Sequence, residues 1–171
     1  MAAYTITYNA NGGTGAPASQ TTGDDGKLMI SSTLPTRAGY TFVIWNDNQD
    51  GSGRKRYPDT TYTFSSDKTL YAIWAPNKSF LNYNSNGGQG APDAELNIAY
   101  GSVIRISDTI PTKTGYTFLG WSNTVERANA GLVDYLPGSL YLNDALTPTK
   151  TIYAAWLDDS WEKVETYMRT T

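Results

Sequence analysis

Hydrophobic and polar positions alternate in short bursts along this chain. Tyr4, Ile6 and Tyr8 are separated by Thr5 and Thr7, the period of two that marks a half-buried strand, and Leu81 with Tyr83 repeats the spacing. Asn11-Gly12 and Asn86-Gly87 follow these segments as turn signals, because both residue types tolerate positive φ. Tyr40-Thr41-Phe42 and Tyr116-Thr117-Phe118 read as strands begun by Gly39 and Gly115, with their aromatic rings on one face. Segments 70–74 and 152–156 read as short closing strands. Val103, Ile104 and Ile106 predict another strand, with 27–30 as its counterpart. The pattern predicts a mostly β (α+β) fold of short strands with little helix.

The chain also repeats itself. Tyr8-Asn9-Ala10-Asn11-Gly12-Gly13-Thr14-Gly15-Ala16-Pro17 returns as Tyr83-Asn84-Ser85-Asn86-Gly87-Gly88-Gln89-Gly90-Ala91-Pro92. Pro35-Thr36-Arg37-Ala38-Gly39-Tyr40-Thr41-Phe42-Val43-Ile44-Trp45 returns as a segment that starts at Pro111 and ends at Gly120-Trp121. Thr69-Leu70-Tyr71-Ala72-Ile73-Trp74 returns as Thr151-Ile152-Tyr153-Ala154-Ala155-Trp156. Because 19 of these 27 aligned positions are identical and the blocks keep their order, the chain is a tandem duplication. The predicted units are 4–74 and 79–156, joined by a linker at 75–78 and followed by a tail at 157–171. The spacing between copies widens by six positions before the last block. That places the extra residues in the polar stretch 122–150, read as a loop that tolerates insertion. Pro76 predicts limited freedom in the linker. In the tail, Trp161, Val164 and Met168 share one face at helical spacing, and acidic residues precede them, so a C-terminal helix is predicted.

The three ordered blocks resemble the Listeria–Bacteroides repeat, the B repeat of internalin B, over nearly the whole chain. The resemblance implies two compact β-grasp-like (ubiquitin-like) modules without catalytic residues or a cofactor. It further implies a repeat of an extracellular bacterial cell-surface protein, acting as a spacer or as an adhesive unit. The residues that carry it are Asn11, Gly12, Gly13, Gly39, Tyr40, Phe42, Trp45 and Trp74 in the first unit. In the second they are Asn86, Gly87, Gly88, Gly115, Tyr116, Phe118, Trp121 and Trp156. Ile44 departs from the glycine usual before the tryptophan, which Gly120 keeps, so a local backbone difference is expected near Trp45.

Composition narrows the chemistry. The 171 residues include no His and no Cys, which removes disulfides, thiolate nucleophiles, the commonest zinc ligands and the commonest general base. A net charge of −3 argues against a nucleic-acid partner, and no apolar run is long enough to span a membrane. The chain reads as a monomeric fragment of a longer surface polypeptide, whose partner is a host or cell-surface protein or a glycan.

Sharper candidate sites have plainer explanations. Asn46-Asp47-Asn48-Gln49-Asp50-Gly51 resembles the start of a calcium loop, but Tyr57 stands where the bidentate Glu belongs, so a polar hairpin loop is the better reading. Leu34-Pro35-Thr36-Arg37 and Ile110-Pro111-Thr112-Lys113 only superficially resemble a wall-sorting signal. Carboxylate pairs at Asp24-Asp25, Asp158-Asp159 and Glu162/Glu165 do not recur between the units, which speaks against glycoside hydrolysis. Arg54-Lys55-Arg56 reads as solvated loop charge. Trp45, Trp74, Trp121 and Trp156 are expected in the cores rather than on a sugar-stacking platform. Tyr57, Tyr62, Tyr135 and Tyr141, with Arg54 and Arg56, are the candidate partner contacts. No metal site is assigned. A stalk cross-linked by a Lys–Asn bond is a third reading, which the loss of ammonia from the intact mass would reveal.

Overall fold

The computed structural model describes residues 3–160. Its first unit ends at Asn77 and its second begins at Lys78.

The first unit contains β1 (Thr5–Asn9), β2 (Gln20–Thr21), β3 (Lys27–Met29), β4 (Tyr40–Asn46), β5 (Lys55–Arg56), β6 (Thr61–Thr63) and β7 (Lys68–Pro76). Five of these form a sheet in the order β2-β1-β7-β4-β5, in which β1 and β7 are parallel and the other pairs antiparallel. β3 and β6 pair as a separate antiparallel ribbon. The core lies between ribbon and sheet. Alternation along β1 turns Ile6 and Tyr8 inward, where they meet Trp45, Leu70 and Ala72 from the sheet, with Ile30 and Phe64 from beside the ribbon strands. A mixed sheet with its first and last long strands parallel at the centre fits the expected mostly β class. In this unit a β ribbon covers the sheet.

The second unit repeats the plan. β8 (Lys78–Asn84), β9 (Glu95–Ala99), β10 (Val103–Arg105), β11 (Tyr116–Ser122), α1 (Val125–Asn129), β12 (Leu140–Leu142) and β13 (Thr149–Asp158) follow in order. The sheet runs β11-β13-β8-β9, again with the parallel pair inside, and β10-β12 is the ribbon. The aromatic cores agree in detail. Tyr8 meets Trp45 at 4.9 Å, Phe42 meets Trp45 at 5.2 Å and Phe42 meets Trp74 at 5.9 Å, against 5.0, 5.2 and 5.6 Å for Tyr83, Phe118, Trp121 and Trp156. Such tilted and edge-on pairs add to the area that each ring buries.

Three expectations change. Residues 75–78 are not a separate linker: Ala75 and Pro76 finish β7, Lys78 starts β8, and only Asn77 lies between them. The second unit also continues past 156. Asp159 donates its N–H to the Gly115 carbonyl (3.1 Å) and accepts from Thr117 Oγ1 (2.8 Å), as Asn77 does with Gly39 (2.8 Å) and Thr41 (2.7 Å). Residues 157–159 are therefore the counterpart of 75–77, which low identity concealed. The stretch 122–150 is not merely a loop. It contains α1, whose first turn is capped by the Thr124 hydroxyl, and β12. The predicted tail helix at Trp161, Val164 and Met168 lies outside the described residues, as do Glu162 and Glu165.

Candidate functional site: a repeated glycine and aromatic cleft

In each unit a type I′ turn follows the first strand. Asn11 (φ 49°) and Gly12 (φ 88°) occupy its left-handed centre, as Asn86 (φ 47°) and Gly87 (φ 84°) do in the second unit. The Asn11 amide donates to Ala72 O at 2.9 Å and Gln49 O at 3.1 Å, tying the turn to the closing strand. Asn86 reaches Ala154 O at 3.0 Å and Asn129 Oδ1 at 2.9 Å. The next glycine serves close packing. A Cβ on Gly13 would lie 2.5 Å from Thr36 O and 2.6 Å from Trp74 Cζ2; on Gly88 it would lie 2.6 Å from both Thr112 O and Trp156 Cζ2. The half-buried Trp74 and Trp156 indoles donate Nε1–H to Ala10 O (2.9 Å) and Ser85 O (3.0 Å).

Around this junction the second unit opens a cleft of about 660 Å³. Gly88 and Gln89 line it together with residues 110–114, to which they are joined by the mutual backbone hydrogen bonds of Gln89 and Thr112 (2.7 and 2.9 Å), and Tyr116, Phe118 and Trp156 complete the lining. The Lys113 ammonium sits 4.0 Å from the Tyr116 ring centre and 5.9 Å from that of Trp156. The first unit keeps the cation, with Arg37 3.9 Å from the Tyr40 ring centre. A cation over an aromatic face is held in place while its hydrogen-bond donors stay available. Asp158 also belongs to this region. Its carboxyl is held below the usual carboxylate range, chiefly by the Ser160 backbone N–H and also by the Lys113 charge.

The residues predicted as partner contacts do not form one surface. Tyr57 is 57% exposed, and Arg54 is exposed. Tyr62 is half-buried, and its hydroxyl accepts the Tyr57 N–H at 3.0 Å. Arg56 corrects the reading of solvated loop charge: it is 4% exposed, forms a two-pronged ion pair with Asp47 at 3.0 Å, and lies against the Tyr62 and Phe64 rings. It occupies the inward position of β5, a strand too short to show in the sequence pattern. Tyr141 is the inward residue of β12 and is 4% exposed, so it serves the core; half-buried Tyr135 packs edge-on against it at 5.7 Å. Burial pushes the Tyr141 hydroxyl pKa up, as it does those of Tyr8 and Tyr83.

The tryptophans divide into two kinds. Trp45 and Trp121 are fully buried, and neither indole N–H has a hydrogen-bond acceptor. Trp74 and Trp156 stay half-buried at the cleft. Sequence reasoning passed over Lys113, Arg37 and Gln89. The available signal was the positive charge kept at 37 and 113 while the neighbours Ala38 and Thr114 changed.

The 46–51 loop closes on itself. The Asn46 amide donates to Gly51 O (3.0 Å) and Gly53 O (3.1 Å), Asn46 Oδ1 accepts the Asn48 N–H (2.9 Å), and Asp50 accepts from Ser52. Its oxygens thus serve the loop's own backbone. Among the described residues no group of three or more His, Cys, Asp or Glu side chains could hold a metal ion.

The profile of the Listeria-Bacteroides repeat domain matches residues 4–73 and 81–131. The chain belongs to this family. It is 31% identical over 125 residues to Internalin H of Listeria monocytogenes, covering 70% of this chain and 20% of that protein. It is 37% identical over 139 residues to a protein of Evansella cellulosilytica named as a Gly-rich membrane protein, covering 75% of this chain and 15% of the relative. A second membrane protein by name from the same organism is 31% identical over 118 residues, covering 69% and 17%. The chain thus spans a fifth or less of the length of these relatives. No solved structure matches it. Among the described residues no helix is long and apolar enough to cross a membrane.

Proposed function

We propose that the chain is a non-catalytic pair of repeat modules from an extracellular bacterial surface protein, acting as a spacer and as an adhesive protein-interaction unit. The observation that carries this reading is how the residues shared by both units are used. Asn11/Asn86, Gly13/Gly88, Trp45/Trp121 and Trp74/Trp156 all hold the fold through internal hydrogen bonds or packing. What the duplication preserved is a scaffold, and a scaffold repeated in tandem suits extension and display. Family membership and the internalin relative support the same reading. The partner is a protein on a host or neighbouring cell surface, with exposed Tyr57 and Arg54 among the contacts.

A second reading has one observation in its favour. The Lys113, Tyr116 and Trp156 cleft combines a cation with aromatic rings, which suits a cell-wall or mucin glycan. Labelled chain applied to cells separates the two. Retention that survives glycosidase treatment of the cells and is lost after mild proteolysis supports the protein partner. Retention abolished by glycosidase, and by Lys113→Gln, overturns it in favour of the glycan. No retention on any surface leaves the spacer role alone and removes the adhesive one.

A further inference from the structure

Asn-Gly is the dipeptide most open to spontaneous deamidation, because glycine carries no side chain to shield its backbone nitrogen. The chain contains this step twice, at Asn11-Gly12 and Asn86-Gly87, and places both in the same turn. In the reaction the glycine nitrogen gives up its proton and attacks Asn Cγ, a C–N bond forms, and the Cγ–Nδ2 bond breaks as Nδ2 takes up a proton and leaves as ammonia. Water then opens the succinimide to Asp or isoaspartate.

The folded units oppose that sequence at its first step. Each Asn Nδ2 is held by two acceptors, Ala72 O and Gln49 O in one unit and Ala154 O and Asn129 Oδ1 in the other, all between 2.9 and 3.1 Å. Asn11 Oδ1 also accepts from Gln49 Nε2 at 3.2 Å. Closing the five-membered ring requires the Asn backbone to leave its left-handed turn and the amide to release both acceptors. The reaction therefore proceeds mainly from locally opened molecules, whose population is set by the opening free energy.

We propose that Asn11 and Asn86 are a matched pair of latent modification sites, held unreacted by these amide clamps and deamidated when a unit opens. The product cannot reset the clamp. An Asp carboxylate has no hydrogen to give Ala72 O or Ala154 O, and its charge faces those oxygens instead. A unit that has once opened and reacted is left permanently weakened, which is a chemical record of opening in a chain exposed outside the cell. Only that last clause rests on the proposed surface location.

The test is peptide mass mapping after incubation in mildly alkaline buffer, native and in denaturant. Amide-to-acid conversion at both sites is expected to be at least about tenfold slower in the native chain, which an opening free energy of roughly 1.4 kcal/mol produces. Equal native and denatured rates would overturn the proposal. Asn129→Ala removes one acceptor from the Asn86 amide at an exposed position and is expected to accelerate Asn86 and leave Asn11 unchanged. Asn129→Asp keeps an acceptor oxygen and is expected to restore the slow rate. Acceleration at both sites or at neither in Asn129→Ala refutes the clamp.

Discussion

The two units share a fold plan and an aromatic core, yet they cover the same edge of the tryptophan strand with different segments. In the first unit Ile44 is buried before Trp45, and β5 pairs with the end of β4 and brings in Arg56. In the second, Gly120 takes that place at φ 150°, and the Val133 side chain and Tyr135 backbone pack directly on it. Tyr135 N–H then bonds to Trp121 O at 3.0 Å, and α1 packs on β11 and β13. The missing side chain of Gly120 is the space that the insertion fills. A single position thus couples to a whole loop, because a closely packed interior has room for one occupant. The ribbon faces differ too. Lys27, Met29, Thr61 and Thr63 are outward in the first unit; Val103, Arg105, Leu140 and Leu142 are outward in the second.

The shared part should break alike. Trp45→Ala and Trp121→Ala are each expected to cost about 3–5 kcal/mol and to unfold their own unit, followed by denaturant titration with fluorescence from the remaining tryptophans. A unit that kept its stability would show that its core rests elsewhere.

The ion pairs should break differently. Arg56→Ala leaves Asp47 stranded beside a buried site and is expected to cost about 3 kcal/mol. Arg127, whose side chain is 43% exposed, pairs with Asp134 at 2.7 Å, and Arg127→Ala is expected to cost about 1 kcal/mol or less. Urea midpoints of the two variants measure the contrast, and similar losses would contradict it.

Exchanging the divergent residues sharpens the comparison. Gly120→Ile drives a branched side chain into Val133 Cγ1, 2.5 Å from where its Cβ would lie, at an expected cost of about 2 kcal/mol or more. Ile44→Gly empties a buried site and frees the backbone, for a loss of similar size. If Gly120→Ile were neutral in thermal melts, the proposed coupling to the insertion would be wrong.

The smallest expected effect is on pH dependence. Tyr8, Tyr83 and Tyr141 have hydroxyl pKa values raised above the ordinary 10.0 by burial. The folded state therefore keeps protons that the unfolded chain releases. Their contribution is complete below pH 10 and is lost as pH rises through the folded values. Two of the three lie in the second unit, so its alkaline loss should be the steeper. At the acid end, the Arg127 guanidinium holds the Asp134 carboxyl below its ordinary 3.8; that contribution is present above pH 3.8 and is lost as pH falls through the folded value. Melting curves from pH 2 to 12, resolved by unit, test both directions.

The repeated blocks were legible because each encodes a local necessity. Asn11-Gly12 marks a turn, Gly13 marks a place where nothing larger fits, and the period-two spacing of Tyr40 and Phe42 marks one face of a strand. Trp45 joins Phe42 only through the irregularity between Phe42 and Ile44. Arg56 and Tyr141 were not legible as core residues. A two-residue strand has no period to read, and a charge is buried only when Asp47 stands opposite it. β2 and β9 also went unpredicted, since they are edge strands defined by their partners. The cleft was invisible for a similar reason. The segments that line it, 88–89 and 110–114, are distant in sequence, and Lys113 gains meaning only above Tyr116.

By itself the sequence determined the duplication, the family, the mostly β character and the aromatic core, because these follow from residue identities at fixed local spacing. Only the tertiary structure decided which charges and tyrosines are inside, where each unit ends, and why Gly120 must be glycine. Those depend on what lies across the sheet, and a linear pattern does not contain the neighbour.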